Sequence, residues 1–175
     1  MSKNDIFDYA KWFLDHNLDA PRNTFKGNMK LQKLLFFAQL ISLAKNNKLL
    51  FDDEFSAFEN GMVMESVRLA YKNNLPSLLH YEKKDFTKED IEVLELTKNI
   101  YGSEDADTLS NMTHQFEYWK KYLSLSNDKD NYKNKKKALV PNKELKQELD
   151  NIRDVLDAYE IMNSKEFRLE EAFDY

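Results

Sequence analysis

Apolar residues recur about every three to four positions along most of the chain, which is the spacing of one face of an α-helix. The pattern predicts helices over residues 4–17, 29–46, 64–72, 88–101, 106–125 and 141–159, and a last short helix from Ser164. The segment 29–46 is apolar on nearly every side, and such a helix belongs in the middle of a fold or at an interface. We therefore predict a mainly α fold: a single-domain helical bundle over residues 1–175 around a central buried helix at about 29–46.

One short segment departs from the helical spacing. Residues 54–58 contain the short alternating run Phe55-Ser56-Ala57-Phe58, and Gly61 follows it, where a turn can take positive φ without steric cost. We predict a short strand near 54–58 that a turn at Gly61 closes. A strand needs a partner, and residues 137–140, with their Ala138-Leu139-Val140 run, are the best candidate.

The composition narrows the classes of function. The chain has no cysteine, which excludes disulfides, thiolate catalysis and cysteine-based zinc sites. It has only 3 Gly and 3 Pro, which disfavours Gly-rich phosphate loops. The formal net charge of -5 disfavours a nucleic-acid partner, since such binding draws on a basic surface. The only dense basic run, Lys135-Lys136-Lys137, lies in a polar connector at 126–137.

The apolar stretches also bear on the compartment. The first residues lack the pattern of a secretory signal, and the longest apolar stretch, Leu34–Leu43, is about half as long as a membrane span. We expect a cytoplasmic protein without a membrane partner.

No catalytic or metal motif stands out. His16, His80 and His114 lie far apart and lack the spacing of a zinc site, and the 31 acidic residues are spread over the whole chain. There is no phosphate-binding loop and no nucleophile motif. We predict that the protein is not an enzyme and has no metal and no cofactor.

A few polar residues sit at unusual places in the pattern. Gln32 and Lys33 open the otherwise apolar central helix, and polar groups there must be paired or exposed; Gln32 is the better candidate for a buried pair. His114 flanks the apolar stripe of the helix predicted at 106–125. We predict that it lies at the edge of the core with a hydrogen-bond partner, and contact with another protein is the alternative.

Three segments match the signatures of one known family in order and spacing. They are Met29–Ala38 (MKLQKLLFFA), Phe55–Val63 (FSAFENGMV), and Tyr101-Gly102 followed by Leu109–His114 (LSNMTH) and Trp119. They resemble the signatures mKLQKLLYFA, feAW-x-x-GPV and yG…eLS-x-lTH…pW of SocA-like antitoxin (Panacea) domains, a family that includes phage-associated GepA-like proteins. The resemblance is strongest over 6–119. Phe58 stands where the family usually has Trp, and Met62 stands where it usually has Pro.

The resemblance implies a protein that neutralises a toxin encoded beside it by binding the toxin directly. One branch of the family is thought to act as an adaptor that delivers the toxin to an ATP-dependent protease. The partner would then be a protein, either a cognate toxin or another target, and no cofactor is implied. The matched family positions provide the partner-binding candidates, which are Gln32, Lys33, Gly61, Met62 and His114.

Two alternatives remain open on the sequence. The first is a phage or mobile-element inhibitor of a host or competitor system, built on the same scaffold. The second is a nucleic-acid-binding regulator, whose binding to DNA would be salt-sensitive and would weaken on replacement of Lys135, Lys136 and Lys137.

Overall fold

The computed structural model of the chain describes residues 4–126 and 138–164. Along these residues eight helices and a two-stranded sheet follow one another. They are α1 (Ile6–Asp15), α2 (Phe25–Asn46), β1 (Ser56–Phe58), β2 (Gly61–Val63), α3 (Glu65–Leu79), α4 (Lys88–Tyr101), α5 (Ala106–Thr113), α6 (Glu117–Ser126), α7 (Asn142–Leu145) and α8 (Asp150–Met162). The predicted mainly α fold is confirmed.

Helix α2 is the centre of the structure. Every residue from Gly27 to Leu43 is buried, and helices α1, α3, α4, α5 and α8 and strand β2 all pack against it. A helix surrounded in this way can bury apolar side chains on every face, so it needs no polar face. The predicted central buried helix is confirmed.

Helix α2 begins earlier than its apolar pattern indicates. Its N-cap is Thr24, whose Oγ1 accepts a hydrogen bond from the backbone N–H of Gly27 at 3.0 Å. The cap satisfies a free N–H of the first helical turn, so the helix includes residues 25–28, which precede the helix predicted over 29–46. Phe25 and Lys26, at its start, are exposed.

The helix predicted over 106–125 is two helices, α5 and α6, separated at residues 114–116. The Glu148 carboxylate accepts hydrogen bonds from the backbone N–H groups of Glu117 at 3.0 Å and Tyr118 at 3.1 Å. The carboxylate of this distant residue therefore satisfies the first free N–H groups of α6, so that α6 can begin as a separate helix. The continuous apolar stripe does not reveal this break.

Two other predicted helices also differ from the observed ones. The segment predicted over 141–159 is divided into α7 and α8. Helix α3 runs to Leu79, past the predicted end at residue 72, with a kink at Asn74 (φ -154°, ψ 58°). Pro76 lies just after the kink, where the first turn of a helical segment tolerates proline.

The two strands form an antiparallel hairpin. Ser56 pairs with Val63, Ala57 with Met62, and Phe58 with Gly61. On the other side Ser56 forms an isolated bridge with Leu139, and the N–H of Val140 donates to the carbonyl of Phe55 at 2.8 Å. The predicted strand and its contact with the 138–140 segment are confirmed. Its hairpin partner is β2, which begins at Gly61, directly after a turn at Glu59 and Asn60.

In the part of the chain that the structure describes, no helix combines the length and the apolar character that crossing a bilayer requires. Two predictions lie outside the described residues: most of the polar connector at 126–137, with Lys135, Lys136 and Lys137, and the last helix beyond Ser164.

Candidate functional site

The hairpin is attached to the central helix by the two polar residues that open its apolar run. The buried Lys33 ammonium donates to the carbonyl of Met62 at 2.9 Å. The Gln32 side chain accepts from the N–H of Met64 at 2.9 Å and donates to the Asn28 side chain at 3.0 Å. Gln32 is therefore in a buried pair, as predicted, and both side chains satisfy backbone groups of the β2 segment.

Helices α5 and α6 hold the turn from the other side. The Ser110 hydroxyl donates to the carbonyl of Asn60, and the indole N–H of Trp119 donates to the carbonyl of Phe58 at 2.7 Å. The carbonyls of Phe58, Asn60 and Met62 are therefore all bonded to side chains of neighbouring helices. The three sequence segments that carry the family resemblance meet at this hairpin.

Gly61 lies where the hairpin turns and contacts helix α5. Its φ is +114°, a backbone conformation that residues other than glycine rarely adopt. A Cβ atom at this position would lie 2.1 Å from the Thr113 hydroxyl oxygen and 2.8 Å from Cε of Lys33. The glycine is required both by the backbone conformation and by the close approach of α5.

Met62 and His114 have different surroundings. Met62 is completely buried and belongs to the hydrophobic core. His114 is half-buried at the edge of the core, as predicted, and its ring stacks on Trp119 with centroids 4.2 Å apart. Its Nε2 atom is buried and has no hydrogen-bond partner among the described residues. Burial lowers the pKa of His114, although the Glu59 backbone acts in the opposite direction.

Lys33 is an uncommon kind of lysine. It is 0% exposed, and burial lowers its pKa to about 7 because the folded protein offers the charged ammonium little solvation. No carboxylate among the described residues forms an ion pair with it, and its hydrogen bond goes to the Met62 carbonyl. The buried amine is therefore easier to deprotonate than an exposed lysine.

A groove of about 700 Å³ opens beside the hairpin. Helices α2, α3 and α6 and both strands contribute to its walls, which include Gln32, Lys33, Phe58 and Arg68. The groove therefore brings together two of the five candidate residues. The other three, Gly61, Met62 and His114, are not among the described residues that line it.

Phe25 and Arg68 line the groove, although neither residue belongs to the candidates that the sequence provides. Phe25 precedes the helix predicted over 29–46, and its side chain is 70% exposed on the wall of the groove. Arg68 belongs to the predicted helix at 64–72, and its guanidinium lies 5.6 Å from the centre of the Phe58 ring. Nothing in the spacing of these residues indicates that they meet.

The two remaining histidines contact their own helices. The Nδ1 atoms of His16 and His80 lie 2.8 Å from the carbonyl oxygens of Trp12 and Pro76, each four residues earlier in the chain. Both rings therefore satisfy carbonyl groups near the ends of α1 and α3.

Replacing Gln32 with leucine is expected to lower the free energy of unfolding by about 2 kcal/mol, because the buried N–H of Met64 loses its acceptor. Urea unfolding followed by circular dichroism measures the change. Gln147→Leu is the matched control at an exposed position and should change the free energy by less than about 0.5 kcal/mol. Equal effects of the two substitutions would show that the bond between Gln32 and Met64 contributes nothing specific.

Comparisons with known proteins identify the family. A family model described as the SocA-like antitoxin, Panacea domain, matches residues 31–120, which are more than half of the 175 residues. No curated protein and no solved structure matches the chain. The matched region contains Gln32, Lys33, the hairpin and Trp119, and so includes the contacts that hold β1 and β2 in place. This chain therefore belongs to the SocA-like antitoxin family of Panacea-domain proteins.

Proposed function

We propose that the protein neutralises a toxin by binding it directly and catalyses no reaction of its own. The observation that carries the proposal is the family match over 31–120, because antitoxin families act in general on a protein partner. The structure adds a reason for the family pattern: its polar motif residues hold a hairpin next to an open groove. A specific complex would bury roughly 800 Å² on each partner, which is the usual size of a stable protein–protein interface.

The five candidate residues are too little exposed to form most of a binding surface. Gln32 and Lys33 line the groove, although their exposed fractions are only 1% and 0%. Gly61 and Met62 are buried, and His114 is half-buried against Trp119. We propose that these residues act mainly by fixing the shape of the hairpin, and that more exposed neighbours make the contacts.

Growth rescue tests the proposal. The product of the gene beside this one, expressed alone, should stop growth, and co-expression of this chain should restore it. The purified pair should co-elute in size-exclusion chromatography, whereas each protein alone elutes later. A chain that is folded by circular dichroism but neither restores growth nor co-elutes would contradict direct neutralisation.

The same strains separate masking from delivery to a protease. If the chain acts as an adaptor, the half-life of the toxin after a translation block should shorten when the chain is present. It should return to its original value in a strain that lacks the ATP-dependent protease. If the chain only masks the toxin, the half-life should stay the same or lengthen, because a bound protein is protected from unfolding.

A further inference from the structure

We infer that the groove beside the hairpin is the docking site for an extended segment of the partner protein that carries acidic and large apolar side chains. This deepens the proposed function and rests on it only in taking the partner to be a protein. The groove is defined by its described lining residues on α2, α3, α6, β1 and β2.

The apolar part of the groove requires an apolar ligand group. Met29, Phe58 and Val63 contribute to its walls, and Phe25 adds an aromatic ring that is 70% exposed. Large aromatic residues beside a concave surface are typical of positions that dominate binding energy. A volume of about 700 Å³ is in the range of sites that enclose a ligand of several chemical groups, so more than one partner side chain can enter.

The charges of the groove indicate an acidic partner. Lys33, Arg68 and Lys72 are the basic residues among its described lining, and Glu59 is the acidic one. Lys33 is 0% exposed and Arg68 pairs with Glu65. Lys72 is therefore the exposed cation of the described lining that remains for a partner. The chain as a whole has the opposite balance, with a net charge of -5. Lys72 therefore favours a partner segment that carries Asp or Glu over one that carries Lys or Arg.

Arg68 and Lys72 differ in their contacts. Arg68 is bound to Glu65 and packs on the Phe58 ring, so it is held in place at the wall of the groove. Lys72 is exposed and forms no ion pair within residues 4–126 and 138–164. A carboxylate of the partner can therefore pair with Lys72 without breaking an ion pair among the described residues.

Three backbone carbonyls of the hairpin are already bonded to side chains of neighbouring helices and are not free to pair with an added strand. The carbonyls of Phe58, Asn60 and Met62 already accept hydrogen bonds from Trp119, Ser110 and Lys33. The partner segment is therefore recognised through its side chains. The affinity for the segment should therefore depend on its side chains, whereas the affinity of an added strand would depend mainly on backbone hydrogen bonds.

Peptide selection tests the inference without a known toxin. The purified full chain is immobilised and a phage library of random 12-residue peptides is selected on it. The enriched peptides should combine Asp or Glu with Phe, Trp, Leu or Met. Fluorescence anisotropy on the strongest peptide should show at least a tenfold loss of affinity when its acidic residues are replaced with Lys.

Two variants place the binding in the groove, and two matched controls lie outside it. Phe25→Ala and Lys72→Glu should each weaken the peptide at least fivefold, while their melting temperatures stay near that of the wild type because both side chains are exposed. Ile161→Ala removes a side chain that is 56% exposed on α8, and Lys146→Glu reverses an exposed charge after α7. Both controls should bind the peptide as the wild type does.

The outcomes separate this inference from the proposed function. If wild-type chain restores growth while Phe25→Ala and Lys72→Glu restore it equally well, and no acidic-apolar peptide is enriched, the groove inference is wrong and direct neutralisation stands. If the peptides behave as expected but the chain restores no growth, the groove binds such segments and the antitoxin proposal fails. Enrichment of basic peptides, or a chain dimer in size-exclusion chromatography that Phe25→Ala dissociates, overturns the inference.

Discussion

Gly61→Ala is expected to lower the free energy of unfolding by about 3 kcal/mol or more, through strain in the hairpin. The backbone has a φ of +114° there, and the new methyl group would lie 2.1 Å from the Thr113 hydroxyl oxygen and 2.8 Å from Cε of Lys33. The turn or helix α5 must therefore move. Urea unfolding followed by circular dichroism measures the loss, and a change below about 0.5 kcal/mol would contradict the prediction.

A double-mutant cycle with Thr113→Ala separates the two causes of this loss. Thr113→Ala removes the oxygen that is nearest to the added methyl group, at the cost of its own hydrogen bond to the Ser110 carbonyl at 2.7 Å. If steric contact contributes, the double variant should be more stable than the sum of the two single effects predicts. The strain of the positive φ should persist, so recovery should be incomplete.

Stability is expected to rise between pH 7 and pH 9 because of Lys33. Its pKa is about 7 in the folded protein and about 10.5 when unfolded, so the unfolded chain binds more protons across this range. Unfolding then requires proton uptake, which becomes less favourable as the pH rises. The folded state has its highest stability, as far as Lys33 is concerned, above the pKa of the unfolded chain, and this stability is lost as the pH falls to the pKa of the folded protein. The free energy of unfolding should rise by about 2 kcal/mol between pH 7 and pH 9.

Lys33→Met isolates this contribution because methionine does not titrate. The free energy of unfolding of the wild type should gain about 2 kcal/mol relative to Lys33→Met between pH 7 and pH 9, as urea titrations at several pH values would show. Lys72→Met, which replaces an exposed lysine, is the control and should follow the wild-type profile. Parallel profiles for wild type and Lys33→Met would mean that the buried amine keeps an ordinary pKa.

Much of the fold was predictable from hydrophobic pattern. The apolar run at 29–46 required a position enclosed on every side, and α2 has that position. Strand β1 (Ser56–Phe58), which the sequence predicts near 54–58, and the turn before Gly61 were predictable because alternation and a glycine are local signals. The break between α5 and α6 was not, because the carboxylate that accepts the first N–H groups of α6 belongs to Glu148, far along the chain.

The candidate site was predictable only in part. Gln32 and Lys33 were recognisable as polar residues in an apolar helix, and the buried pairing of Gln32 follows from the cost of leaving an amide unpaired. The sequence did not show whether Lys33 would reach water or remain inside. It also did not show that Phe25 and Arg68 line the same groove, since neither belongs to a motif with fixed spacing.

By itself the sequence determined the helical class, the central helix, the strand with its glycine turn, and the family. These depend on periodicity, on conformational preference at single residues, and on motifs whose members are close in the chain. Only the tertiary structure decided that Lys33 is buried beside the Met62 carbonyl, that α5 approaches Gly61, and that a groove with Arg68 and Lys72 on its walls opens beside the hairpin. Burial, steric contact and electrostatic field depend on which distant segments come together, and no local pattern contains that information.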